Sequence, residues 1–114
     1  MQVHVNTDRQ IQGGESLALW VEQETLARLA RFREQVTRVE IFLSDENGGK
    51  AGASDKRCRM EARPAGLPPV TVTATADKVA DAFTGATEKL LRALDADIGR
   101  GKNLKGSETI RTGE

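Results

Sequence analysis

R-V-E-I-F-L-S-D-E-N-G-G-K-A-G-A-S-D-K-R-C-R-M-E-A-R, from Arg38 to Arg63, decides the fold of this chain. Val39, Ile41 and Leu43 alternate with Arg38, Glu40, Phe42 and Ser44, the period-2 pattern of a strand with one buried and one wet face. Cys58, Met60 and Ala62 alternate with Arg57, Arg59, Glu61 and Arg63 in the same way. Between the two runs, Asp45 to Asp55 holds Gly48, Gly49 and Gly52 and almost nothing apolar, so it is expected to be a mobile hairpin connection. That connection is long for a hairpin.

Upstream, Val3 and Val5 alternate with Gln2, His4 and Asn6 as a short first strand, ended by the polar stretch Thr7 to Glu15. Ser16 is placed to cap a helix over Leu17 to Glu34, which contains neither Gly nor Pro and sets Val21, Leu26, Leu29 and Phe32 on one arc. Trp20 lies off that arc, either packed at the helix edge or partly exposed, and packing is the expected outcome. Downstream, the prolines of Pro64 to Pro69 exclude helix and mark a turn. Val70, Val72 and Ala74 alternate with threonines in a fourth strand. Asp77 or Thr75 caps a second helix, whose apolar face carries Val79, Phe83, Leu90, Leu94 and Ile98, with Ala80, Ala86 and Leu91 beside it. Gly85 weakens this helix slightly, and Gly99 and Gly101 are expected to end it. Residues 1–100 are thus expected to form one domain and residues 101–114 a disordered polar tail.

The element order is β-α-β-β-β-α, and the expected fold class is α+β: two helices packed on one face of a four-stranded, mainly antiparallel sheet. The opposite face, with His4, Glu40, Phe42, Arg57, Arg59, Glu61, Arg63 and the threonines, is polar enough to be wet.

A chain of 114 residues supports one core, and the scarcity of aromatics makes that core aliphatic. Seventeen basic residues balance seventeen acidic ones, so no global field draws the protein to nucleic acid or membrane; any such attraction must come from local segregation of charge. A single cysteine, on the inward parity of its strand, and the lack of an apolar span or signal-like start point to a reducing cytoplasmic setting with no membrane partner.

Few residues offer chemistry. His4 is the only histidine and has no cysteine at ligand spacing, so a surface role outweighs a metal site. Cys58 reads as an inert core thiol despite its arginine neighbours. The acidic loop lacks calcium-loop spacing, and Gly48 to Gly52 lacks the closing G-K-[ST] of a phosphate loop. No catalytic residue, metal, cofactor or small-molecule substrate is assigned. On the second helix Lys78, Lys89, Arg92 and Arg100 fall on the arc opposite the apolar stripe, while Asp81, Glu88 and Asp95 gather to one side. Arg28 and Arg31, at one edge of the first helix's arc, extend this ridge if the helices lie side by side. Ordinary solvated charges are the competing interpretation. Lys56, Arg57, Arg59 and Arg63 form a second basic surface on the hairpin. Either surface suits a phosphate backbone through counterion release.

The element order, V-E-I-F-L-S-D-E-N-G at Val39 to Gly48, D-K-R-C-R-M-E-A-R at Asp55 to Arg63, and K-L-L-R at Lys89 to Arg92 together resemble the ribosome hibernation promoting factor and RaiA family, also called sigma-54 modulation proteins. The resemblance spans about Met1 to Arg100. It implies a double-stranded-RNA-binding-domain-like fold and a non-catalytic protein lodged in the small ribosomal subunit, on rRNA of the mRNA and tRNA channel, silencing idle ribosomes during stress or stationary phase. It also implies that Lys89 and Arg92 in the last helix, and Arg28 and Arg31 in the first, meet rRNA; Lys78 and Arg100 extend that set from the helical wheel. A short form is expected, without the dimerisation domain of long relatives. Asp95 and Asp97 stand where relatives carry more lysines. The alternative function is a protein-binding module that uses the exposed sheet face without binding ribosomes.

Overall fold

A computed structural model describes residues 1–8, 11, 14–45 and 56–110, with side chains through Ile98. Its elements follow the order β1 (Gln2–Thr7), α1 (Gly14–Arg28), a 3-10 turn (Ala30–Phe32), β2 (Val36–Asp45), β3 (Lys56–Pro64), β4 (Val70–Ala76) and α2 (Val79–Ile110). The expected α+β architecture is present: one sheet of order β1-β2-β3-β4 with the helices on one side. β1 runs parallel to β2, which requires the α1 crossover, and the other pairs are antiparallel.

The hairpin sets the register. Val39 opposes Ala62, Ile41 opposes Met60 and Leu43 opposes Cys58, and all six side chains are buried. Because a strand's side chains alternate in direction, this pairing fixes the other face as well. At the loop end of the hairpin Asp45 pairs with Lys56, their side chains 3.3 Å apart, so Asp45 belongs to the strand and not to the connection. Residues 46–55, the expected mobile connection, lie outside the described residues. The Pro64–Leu67 turn closes with the Leu67 N–H donating to the Pro64 carbonyl at 3.3 Å. Its third residue, Gly66, has φ +75°, as a type II turn demands.

The helices differ from the sequence expectation in rotation and extent. α1 begins at Gly14, whose φ of +45° turns the chain into the helix two residues before Ser16. It ends at Arg28, and the 3-10 turn carries the chain on to Phe32. The buried line through α1 and the following turn is Val21, Thr25, Leu29 and Phe32, leaving Leu26 40% exposed. Thr25 fits there because its hydroxyl donates to the Val21 carbonyl at 2.7 Å, so no polar atom is stranded. Thr87 does the same on α2, donating to the Phe83 carbonyl at 2.8 Å. Trp20 combines both outcomes: it meets Phe83 edge-on, centroids 5.4 Å apart, and stays 40% exposed.

α2 lies over β3 and β4 and buries Phe83, Ala86, Leu90 and Leu94, whereas Ala80 is exposed. It continues through Gly99 and Gly101 to Ile110. Each interior glycine costs a helix about 1 kcal/mol, which weakens it without ending it. Residues 111–114 lie outside the described residues.

Gly85 has a packing reason. A Cβ built there would stand 3.3 Å from Ala74 Cβ on β4, so the helix approaches the sheet closely at this point. Gly85→Ala is expected to stay within about 1 kcal/mol of the parent, since the gain in helix propensity offsets the tight contact. Gly85→Leu is expected to lose about 1–3 kcal/mol by overpacking. Urea unfolding of the two variants measures the difference.

Candidate nucleic-acid interface

The charged residues of α2 segregate by helical spacing. Asp81, Glu88 and Asp95 recur every seven residues and share one flank. Arg31 meets that flank: its Nη2 donates to Asp95 Oδ2 at 2.8 Å, and its guanidinium carbon stands 4.6 Å from the Phe32 ring centroid. The 3-10 turn after α1 and the middle of α2 are thereby joined by an exposed ion pair, which neutralises Asp95 of the acidic flank. Arg28 is held within its own helix by Glu24, Nε to Oε1 at 3.3 Å.

Lys89 points toward the sheet edge, not away from it. Its Nζ donates to the Thr73 carbonyl of β4 at 2.7 Å. β4 is an edge strand, so outward carbonyls there lack a neighbouring strand, and the ammonium satisfies one of them. The expected arc opposite the apolar stripe is therefore divided: Lys89 covers the β4 edge, while Lys78 and Arg92 are exposed with no ionic partner among the described residues. The side chain of Arg100 lies outside those described. Arg92 sits one turn from Asp95, which brings it close to Arg31.

The hairpin's basic residues also divide. Lys56 is paired with Asp45. Arg63 Nη2 reaches Glu61 Oε1 at 3.5 Å, and Arg38 pairs with Glu40. The sheet's open face is thus self-neutralised across the row His4, Glu40, Glu61 and Thr71 and the residues beside it. Arg57 and Arg59 lie in the next two rows, exposed and without a carboxylate among the described residues. The guanidinium carbon of Arg59 is 5.4 Å from the Phe42 ring centroid. Phe42, Ser44, Arg57 and Arg59 line an open depression of about 410 Å³. Sequence reasoning named these arginines but not the depression, which exists only because strand register sets them around one half-buried ring.

The remaining candidates are quiet. Among the described residues no group of three or more potential ligands could hold a metal, and no helix is long and apolar enough to cross a membrane. Cys58 is fully buried beneath the helices, and burial pushes its thiol up to about 12 from 9.0. A thiol so desolvated is a poor nucleophile.

The family described as sigma 54 modulation protein / S30EA ribosomal protein matches residues 5–111. The N-terminal domain of Protein Y from Thermus thermophilus is similar in structure, with TM-score 0.65 and 19% identity over 84% of this chain and 98% of that one. A ribosomal subunit interface protein from Coxiella burnetii has TM-score 0.67 and 12% identity over 87% of this chain and 99% of that one. At these identities the likeness establishes the fold. No curated protein matches the sequence.

Cys58 gives a measurable consequence. The unfolded thiol ionises near 9.0 and the folded thiol near 12, so between these values the unfolded state has bound fewer protons. Stability contributed by the buried neutral thiol is present below pH 9.0 and is lost as pH rises toward 12, relative to Cys58→Ala. Paired urea titrations across that window check the sign, and a thiol reagent at pH 8 is expected to label the native protein far more slowly than the unfolded one.

Proposed function

The chain belongs to the sigma 54 modulation protein / S30EA ribosomal protein family, and on that premise we propose that it binds the small ribosomal subunit and silences idle ribosomes under stress or in stationary phase. The observation that carries this reading is the family match over residues 5–111, nearly the whole chain. The mechanism is occlusion. The folded domain fills the channel that mRNA and tRNA would use, basic side chains meet rRNA phosphates, and no bond is made or broken.

The helix surface supplies the contacts in two grades. Lys78 and Arg92 are exposed and ready to meet phosphate. Arg28 and Arg31 are held by exposed ion pairs worth about 0–1 kcal/mol, and Lys89 by a hydrogen bond to the Thr73 carbonyl. An rRNA phosphate, carrying full charge and releasing counterions on contact, competes well with such partners. With zero formal net charge, binding depends on this local arrangement and not on long-range attraction.

Sedimentation with purified small subunits at low and moderate salt tests the reading. The wild type is expected to co-sediment at low salt and to be released as salt rises. The double variant Lys78→Glu, Arg92→Glu is expected to bind at least about ten-fold more weakly and with a flatter salt dependence, by about 0.9 in log-log slope per lost phosphate contact. Co-sedimentation unchanged by the double reversal, or absent even at low salt, counts against the proposal. Asp95→Asn, which frees Arg31 and removes a carboxylate beside the ridge, is expected to tighten binding in the same assay.

A further inference from the structure

We propose that the open face of the sheet is a stacking site for an unpaired nucleotide of single-stranded RNA, with a base on the Phe42 ring and the adjoining phosphates on Arg57 and Arg59. The face lies opposite the helices, so it is a second site and not part of the helix ridge.

Strand register carries the argument. Asn6, Phe42, Arg59 and Thr73 form one row across the four strands, and Ser44, Arg57 and Thr75 form the next. Phe42 is the one large apolar side chain in these rows. It stands on an inner strand, half-buried, where a buried position on the helix side was one residue away in either direction. The Phe42 ring carries the Arg59 guanidinium over it at 5.4 Å, and every base has a π-face that can stack on the ring when that guanidinium moves aside. The rim is cationic in a way the rest of the face is not. Arg38 and Arg63 are neutralised by Glu40 and Glu61, whereas Arg57 and Arg59 have no carboxylate among the described residues. Both face the 410 Å³ depression that the ring helps to line, a volume suited to one nucleotide.

The combination selects among ligands. An acidic peptide would pair with the arginines and leave the ring unused. An RNA duplex hides its base faces inside the stack and has no ring to offer. A single strand uses both features. The 5.4 Å contact between Arg59 and the Phe42 ring holds the guanidinium above the stacking surface, where it can cover a bound base or move outward to its phosphate. The choice of RNA over DNA rests on the ribosome association proposed above; the stacking site does not.

Fluorescence anisotropy with labelled hexauridylate and hexaadenylate, at low and moderate salt, tests the site without ribosomes. The full chain is expected to bind both. Phe42→Leu is expected to weaken binding on the order of ten-fold with the salt slope unchanged, the signature of a lost stack. Arg57→Gln and Arg59→Gln are each expected to lower the slope by about 0.7. Unfolding curves matching the wild type show that these surface variants fold. The oligonucleotide assay contains no ribosomes and the sedimentation assay reads whole subunits, so failure here and failure of subunit binding are separate results. The proposal is overturned by absent oligonucleotide binding, by unchanged affinity in Phe42→Leu, or by a polyglutamate peptide or an RNA duplex displacing the strand at equal concentration.

Discussion

The antiparallel pairing of β2 with β3 is the constraint on which the rest of the protein depends. It sets Val39, Ile41 and Leu43 beside Ala62, Met60 and Cys58 as a continuous apolar floor. α2 lies across that floor with Phe83, Leu90 and Leu94. A slip of β3 by one residue would turn Cys58, Met60 and Ala62 toward water and bring Arg57 and Arg59 under the helices. The core and the open face are consequently two results of one register. Whatever the open face binds, its layout is protected by the hydrophobic energy of the side that cannot be exposed.

Charge is handled in the same local way. With equal numbers of acidic and basic residues, the protein pairs about half of its described cations internally and leaves the others uncovered. Arg31 with Asp95 fastens the 3-10 turn to α2, Lys56 with Asp45 closes the hairpin, and Lys89 occupies the edge of β4. These contacts are weak individually when exposed, and they hold side chains in place without committing them. Lys78 just before α2, Arg92 on α2, Arg33 after the 3-10 turn, and Arg57 and Arg59 on the sheet are without a carboxylate partner among the described residues. Two faces with different character result: a helix surface suited to phosphates alone, and a sheet surface where phosphates lie next to an aromatic ring.

Much of the fold was legible in the sequence because strand alternation is a local signal. The two halves of Arg38–Arg63, the threonine-rich fourth strand and the apolar stripe of the last helix could each be read without reference to the others. Helix rotation was less legible. Leu26 is more apolar than Thr25, yet Thr25 is the buried one, because a threonine hydroxyl that donates to the carbonyl four residues back loses its need for water. Glycine misled for a related reason. Gly99 and Gly101 look like a stop, but a helix interior tolerates glycine at modest penalty, and Gly85 is there to admit the close approach of Ala74.

The sequence by itself determined the element order, the fold class, the inward parity of Cys58 and the presence of basic residues on both helices and on the hairpin. Periodicity and composition are properties of short segments, and short segments suffice to state them. Only the tertiary structure decided which of those basic residues are occupied. Arg31 and Asp95 are 64 positions apart, and Lys89 reaches a carbonyl 16 positions before it, so no local pattern could announce either contact. The depression around Phe42 has the same origin. It joins residues of β2 and β3 that become neighbours only when the hairpin takes its register, and that register is set by the apolar side chains on the opposite face.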